Sequence, residues 1–182
     1  MYENLIEKKI DSRSIYDGKL LHVKIDSVLL PNGDKATREW VKHPGASAVI
    51  PVLPDGNIIL VRQYRYPVES VTLEIPAGKL DVAGEDPLEC ARRELSEETG
   101  YTAAEYEKLI SIATTVGFSN EWIHIFAARG LKAGEQHPDD DEFINVEKMS
   151  LVDAHSLVME NKIIDAKTIV AIMMLYEKLK LR

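Results

Sequence analysis

A chain of 182 residues is long enough for one well-buried domain and too short to favour two full ones. Its 45% apolar and 29% charged content is that of an ordinary globule, and a formal net charge of -8 argues against a nucleic-acid backbone as the main ligand. Cys90 is the single cysteine, which excludes an intrachain disulfide and makes a reducing compartment the default.

The opening MYENLIEKKID has no basic segment followed by an apolar run. The longest apolar run, 169–176, is far short of the ~20 residues that cross a bilayer. A cytoplasmic protein without a membrane partner is expected. Between 15 and 42, Leu21, Val23 and Ile25 alternate with His22, Lys24 and Asp26, and Pro31-Asn32-Gly33-Asp34 turns the chain into a return strand over 36–42. This predicts an N-terminal β-hairpin subdomain over 1–43 and a main domain over 44–182. From Gly45 alternation gives way to nearly continuous apolar runs, 46–53 and 58–61, separated by Pro54-Asp55-Gly56-Asn57, which suggests strands covered on both faces. A further apolar stretch over 71–75 delivers the chain to Pro76-Ala77-Gly78.

The next stretch reads as a Gly-bounded loop feeding one acid-rich helix. Asp86 can cap its N-terminus, Pro87 suits the first helical position, Glu89 falls third, and Gly100 can close the end in a left-handed turn. Strands are then expected over 109–114 and 122–128, joined by Gly117-Phe118-Ser119-Asn120. A polar loop follows over 132–142, with four consecutive acids at its end, and then a short strand over 143–146. Two helices complete the chain, one over 151–159 capped by Ser150 with Asp153 third, and one capped by Asp165 whose apolar face runs from Ile169 to Leu179. Mixed strands enclosed by helices make an α/β (α+β) sandwich.

In the acidic helix Leu88, Ala91 and Leu95 form the buried face, and Glu94, Glu97 and Glu98 form their own stripe, with Cβ atoms about 5–6 Å apart. Glu89 with Arg93, and Arg93 with Glu97, are opposite-charge i, i+4 pairs, whereas Glu94 with Glu98 is a like-charge pair. Charge alone leaves two readings open, a solvated salt-bridged face and a divalent-cation site. Cys90, inside this helix, suits a small buried apolar role. The five histidines lack paired ligand spacing, so zinc is not expected. No Ser or Cys sits in a nucleophile motif, so attack by water is the simpler chemistry.

The order Arg93-Glu94-Leu95-Ser96-Glu97-Glu98-Thr99-Gly100-Tyr101, with Glu85 and Gly78 upstream, resembles the signature of the Nudix hydrolases. One departure is a loop residue: six residues, not the usual five, separate Gly78 from Glu85. Val61 to Tyr66, Glu74-Ile75-Pro76-Ala77-Gly78, Gly117 to Glu121 and Asp165-Ala166-Lys167-Thr168 extend the resemblance to the ADP-ribose pyrophosphatase branch, from about residue 16 to the C-terminus. The resemblance implies a Nudix α/β/α sandwich with a mixed sheet, an N-terminal β-hairpin exchanged across a homodimer, and hydrolysis of ADP-ribose to AMP and ribose 5-phosphate. It implies Mg²⁺ or Mn²⁺, two or more ions, held by Glu94, Glu98, Glu97 and the backbone carbonyl of Ala77. Arg93 is expected to orient a carboxylate such as Glu97 or Glu85. Arg62 and Arg65 are the candidates for substrate phosphates, with Glu74 as a neighbour that one of them pairs with, and Trp40 for stacking on adenine or for the core. Among the acids of the 139–142 loop, Glu142 and Asp141 are preferred as base or further ligand. Val116 stands where ADP-ribose-specific members tend to carry Pro, which keeps GDP-mannose, ADP-glucose and NADH open as substrates. A Nudix-fold sensor that binds ADP-ribose without hydrolysing it is the alternative of a different class.

Overall fold

Alternation along the chain becomes two-faced strands in the computed structural model of the protein, which describes residues 2–138 and 142–180. The described chain forms two compact units, one holding the residues up to Gly45 together with Ala113–Trp122, the other Ala46–Ile112 and the chain from Ile123 onward.

The first unit is built on a three-stranded antiparallel sheet of β1 (Lys8–Asp17), β2 (His22–Leu29) and β3 (Lys35–Lys42). The expected hairpin is β2–β3, turned at Gly33, whose φ of 90° is open to a residue without Cβ, while Asn32 Oδ1 accepts from the Asp34 amide at 3.1 Å. The sequence reading missed β1. Its KKIDSRSIYD segment is exposed along almost its whole length and bulged twice against β2, so no apolar face marks it. The segment around Phe118 also joins this unit, where the Val41 amide donates to the Phe118 carbonyl at 2.7 Å and the His43 amide to Asn120 Oδ1 at 2.7 Å.

The second unit is layered, with mixed strand directions. Its central sheet has the order β7–β4–β9–β8, from β7 (Ala77–Lys79), β4 (Ala46–Pro51), β9 (Trp122–Ala133) and β8 (Tyr101–Ala113). β4 runs parallel to β9 and antiparallel to β7. Every residue of β4 is buried, as its unbroken apolar run predicts for a strand covered on both faces. Its side chains still alternate: Val49 packs with Phe126, Ala128 and, from helix α1 (Pro87–Thr99), Ala91 and Leu95. Ala46, Ala48 and Ile50 face the opposite core. That core contains Ile58 and Leu60 of β5 (Asn57–Arg65), Leu73 of β6 (Ser70–Glu74), Leu151 and Ala154 of α2 (Leu151–Met159), and Ala171, Ile172 and Leu175 of α3 (Ala166–Lys180). A second sheet, β10–β5–β6 with β10 at Asn145–Ser150, lies on that side.

Boundaries moved where polar residues continue a ladder. β8 starts directly after α1, eight residues before the expected 109, and β9 continues to Ala133 into the segment expected to be loop. The strand expected over 143–146 is β10, two residues later, because it is registered by antiparallel pairing with β5 from Asn145 onward.

Candidate active site

Both ends of α1 are capped as the sequence predicts. Asp86 Oδ1 accepts from the Leu88 amide at 2.8 Å, Pro87 opens the helix, and Gly100 ends it at φ 72° with its amide on the Ser96 carbonyl. The expected Glu89–Arg93 pair gives way to Glu89 with Arg92 at 3.3 Å. Arg93 instead serves three partly buried acids, donating to Glu85 at 3.2 Å, Glu94 at 2.6 Å and Glu97 at 2.8 Å. An ion pair with a desolvated carboxylate is worth more than one with the exposed Glu89, which decides where the guanidinium goes.

Two acids of the stripe are withdrawn from water, while the third, Glu97, keeps its side chain 40% exposed. Glu94 is 9% exposed and Glu98 3%. They can be there because α1 lies over β7, where Gly78 has no side chain: a Cβ at Gly78 would stand 1.8 Å from Glu94 Oε1. Glu98 Oε2 accepts from the Ala77 amide at 3.3 Å. Burial pushes the Glu94 carboxyl up to about 7 against the pull of Arg93. Burial, then the charges of Glu94 and Glu142, push Glu98 up to about 8. Two adjacent carboxylates in a dry place lack sufficient positive charge. A hard divalent cation with carboxylate, carbonyl and phosphate ligands matches this deficit. Among the described residues no three acidic, imidazole or thiol groups close into a ready cage.

A stability consequence follows. Both carboxyls are raised above the usual 4.5, so the folded protein holds protons that unfolding releases. The metal-free protein should therefore lose stability as pH rises from about 4.5 and level off above about 8, and saturating Mg²⁺ should recover most of the loss. Melting temperatures measured across that range with chelator and with Mg²⁺ would check it; a metal-free profile flat in pH would refute the charge deficit.

Glu142 is electrostatically coupled to both Glu94 and Glu98. Asp139, Asp140 and Asp141 lie outside the described residues. The preceding loop is tied to the end of α1: Gln136 Nε2 donates to the Glu98 carbonyl at 2.7 Å and the His137 amide to the Glu97 carbonyl at 3.0 Å. These carbonyls are among the last four of the helix, which have no partner inside it. Sequence reading missed Gln136; the unpartnered carbonyls of a helix end are general, but nothing in the sequence said which segment would cover them.

Arg62 pairs with Glu147 of β10 at 2.5 and 2.9 Å. Arg65 is the arginine that pairs with Glu74, through two bonds of 2.8 and 2.7 Å. Glu74 is 1% exposed and also accepts from Thr72 at 2.6 Å and Lys167 at 2.5 Å, so both of its oxygens are occupied twice. The paired cations hold its carboxyl down to about 2 in spite of burial. Trp40, half-buried in β3, and the exposed Val116 belong to the first unit. Cys90 is buried, as its expected role requires, and burial pushes its thiol up to about 12.

A family model, the NUDIX domain, matches residues 41–171. A protein of Bacillus methanolicus named methanol dehydrogenase activator is 44% identical over 178 residues, covering 96% of each chain. An ADP-ribose pyrophosphatase of Bacillus subtilis is 45% identical over 178 residues, covering 97% of this chain and 96% of its own. Among solved structures, one described as an ADP compounds hydrolase superposes with a TM-score of 0.83 over 96% of this chain and 94% of its own, at 24% identity, and shows the shared fold. With its acidic helix intact, the chain belongs to the NUDIX family and is a Nudix hydrolase.

Proposed function

We propose that the protein hydrolyses the pyrophosphate of ADP-ribose, with Mg²⁺ or Mn²⁺, to AMP and ribose 5-phosphate. The observation that carries the metal-dependent reading is the buried, under-compensated pair Glu94 and Glu98 beside the side-chain-free Gly78. The substrate rests on the likeness to the B. subtilis ADP-ribose pyrophosphatase.

Glu94, Glu98, Glu97 and the Ala77 carbonyl would hold the ions. When bound, two or more divalent ions would supply the charge neutralisation that an anionic pyrophosphate needs before water can attack it. Arg93 keeps Glu85, Glu94 and Glu97 oriented, so its own charge is spent on the protein. Glu142 and Asp141 are the candidates for accepting the proton of the attacking water. Arg65 is held by Glu74 with part of its side chain still open to solvent, a geometry suited to meeting a phosphate. Arg62 is assigned to the substrate phosphates, Trp40 is kept for stacking on adenine or for the core, and the reading includes a cytoplasmic homodimer that exchanges the N-terminal subdomain.

Initial rates with Mg²⁺ on ADP-ribose, ADP-glucose, GDP-mannose and NADH, with products resolved by chromatography, test the proposal. AMP formed chiefly from ADP-ribose is expected. Preference for another diphosphate would move the substrate and keep the mechanism; binding of ADP-ribose without turnover would favour a sensor. The relative named methanol dehydrogenase activator favours a second reading, in which the protein acts on a dehydrogenase. Adding it, with and without Mg²⁺, to a purified methanol dehydrogenase separates that role from hydrolysis of free ADP-ribose.

A further inference from the structure

Helix α3 begins against the strand that leads into the active site. Lys167, 7% exposed, donates to Glu74 Oε2 at 2.5 Å and lies 3.1 Å from Asp165 Oδ1. The next residue, Thr168, is fully buried; its hydroxyl donates to Asp165 Oδ2 at 2.5 Å and accepts from the Ile75 amide at 2.8 Å. Two consecutive residues of the helix therefore grip Glu74, the last residue of β6, and Ile75, which follows it. From that grip the chain has little freedom before the acidic helix. Pro76 has a fixed φ, and its carbonyl accepts from the Val49 amide at 2.9 Å. The Ala77 amide then meets Glu98, and Gly78 lies against the Glu94 carboxylate.

We propose that Lys167 and Thr168 are positioning residues for the catalytic centre: the first turn of α3 clamps Glu74 and Ile75 and so sets the Ala77–Gly78 backbone against Glu98 and Glu94. The proposal rests on the metal-dependent reading above. A buried ion pair is weak as a source of stability but strong in fixing geometry when every lone pair is used, and Glu74 uses all of its own. Thr168 links Asp165, which caps α3 by accepting from the Thr168 amide at 3.0 Å, to the buried amide of Ile75 just past the end of β6. A displacement of Ile75 passes directly into Ala77, two residues on.

The test is a set of variants in the full chain, Thr168→Val, Thr168→Ser, Lys167→Met and Lys167→Arg, measured by Mn²⁺ titration with electron paramagnetic resonance and by steady-state kinetics on ADP-ribose. Thr168→Val and Lys167→Met should weaken Mn²⁺ binding about tenfold and lower kcat about tenfold, with KM for ADP-ribose held within about twofold. Thr168→Ser, which keeps the hydroxyl, should restore both. A role limited to stability would instead lower the melting temperature and leave the Mn²⁺ Kd of the folded protein at the parental value, and that result overturns the inference. Should Thr168→Val fail to fold, Lys167→Met decides alone by the same criterion. A parent that binds Mn²⁺ but leaves ADP-ribose intact would refute the functional reading, while the ratio of Mn²⁺ affinities would still decide this one; a parent that binds no Mn²⁺ overturns both.

Discussion

Replacing Glu98 by Gln is expected to lower kcat on the order of a thousandfold and, at the same time, to raise the melting temperature of the metal-free protein. The two effects have one cause. Glu98 is 3% exposed, and its carboxyl is pushed up to about 8 by burial and by the neighbouring charges of Glu94 and Glu142. At pH 8 and above, keeping it ionised in the metal-free fold costs on the order of 5 kcal/mol, the rise from 4.5 to about 8 taken at ~1.36 kcal/mol per pH unit. Glutamine removes the charge and keeps an oxygen to accept the Ala77 amide, so the local hydrogen bond survives. The stabilisation should appear as a rise of about 5 °C or more at pH 8 in chelator, shrink towards pH 5, and reverse in order when Mg²⁺ is present, since only the parent gains from the ion. Parental turnover in the variant would remove Glu98 from the machinery. Lower metal-free stability at pH 8 would show that its charge is already compensated by the protein.

Gly78→Ala is the second large effect, and it separates geometry from charge. A Cβ at this position would lie 1.8 Å from Glu94 Oε1, 2.1 Å from its Cδ and 2.6 Å from Oε2. The whole carboxylate has to leave, and it can, because it is the end of a flexible side chain and not backbone. Gly78 is not among the glycines with positive φ, so alanine is unstrained there. The fold should persist with a melting temperature within about 5 °C of the parent, while activity falls about a hundredfold, the scale expected when a ligand is displaced by an ångström or more. Circular dichroism and Mg²⁺-dependent rates measured on the same preparation would check both halves. An alanine variant with parental rates would mean that Glu94 functions equally well from another position.

These two residues also show how differently the parts of the site could be read. The caps of α1, its buried face at Ala91 and Leu95, and the spacing of Glu94, Glu97 and Glu98 are local, because a helix repeats its geometry every few residues and its ends need particular side chains. The same holds for Ser150, whose hydroxyl accepts from the Asp153 amide, and for Asp165 at the head of α3. The β2–β3 turn was equally legible, since Asn32 and Gly33 leave few alternatives.

Other features depend on what the chain meets in space. β1 has charged residues on both faces, so nothing in its pattern distinguishes a strand from a loop, and only its pairing with β2 makes it one. Arg93 had two opposite-charge neighbours within reach along the helix; it kept Glu97 and, in place of the exposed Glu89, took Glu85 and Glu94, whose side chains are only 11% exposed. Arg62 and Arg65 were equivalent in the sequence, and their partners were chosen by β10 and by the Glu74 side chain.

By itself the sequence determined the helices with their caps, the β2–β3 turn and the presence of three carboxylates on one helix stripe, because those depend on contacts within a few residues. Which of those carboxylates would be buried, that a glycine on a neighbouring strand would make room for one of them, and that Lys167 and Thr168 would hold that strand in place were decided only by the tertiary structure, because desolvation and long-range hydrogen bonds exist only once distant segments are packed together.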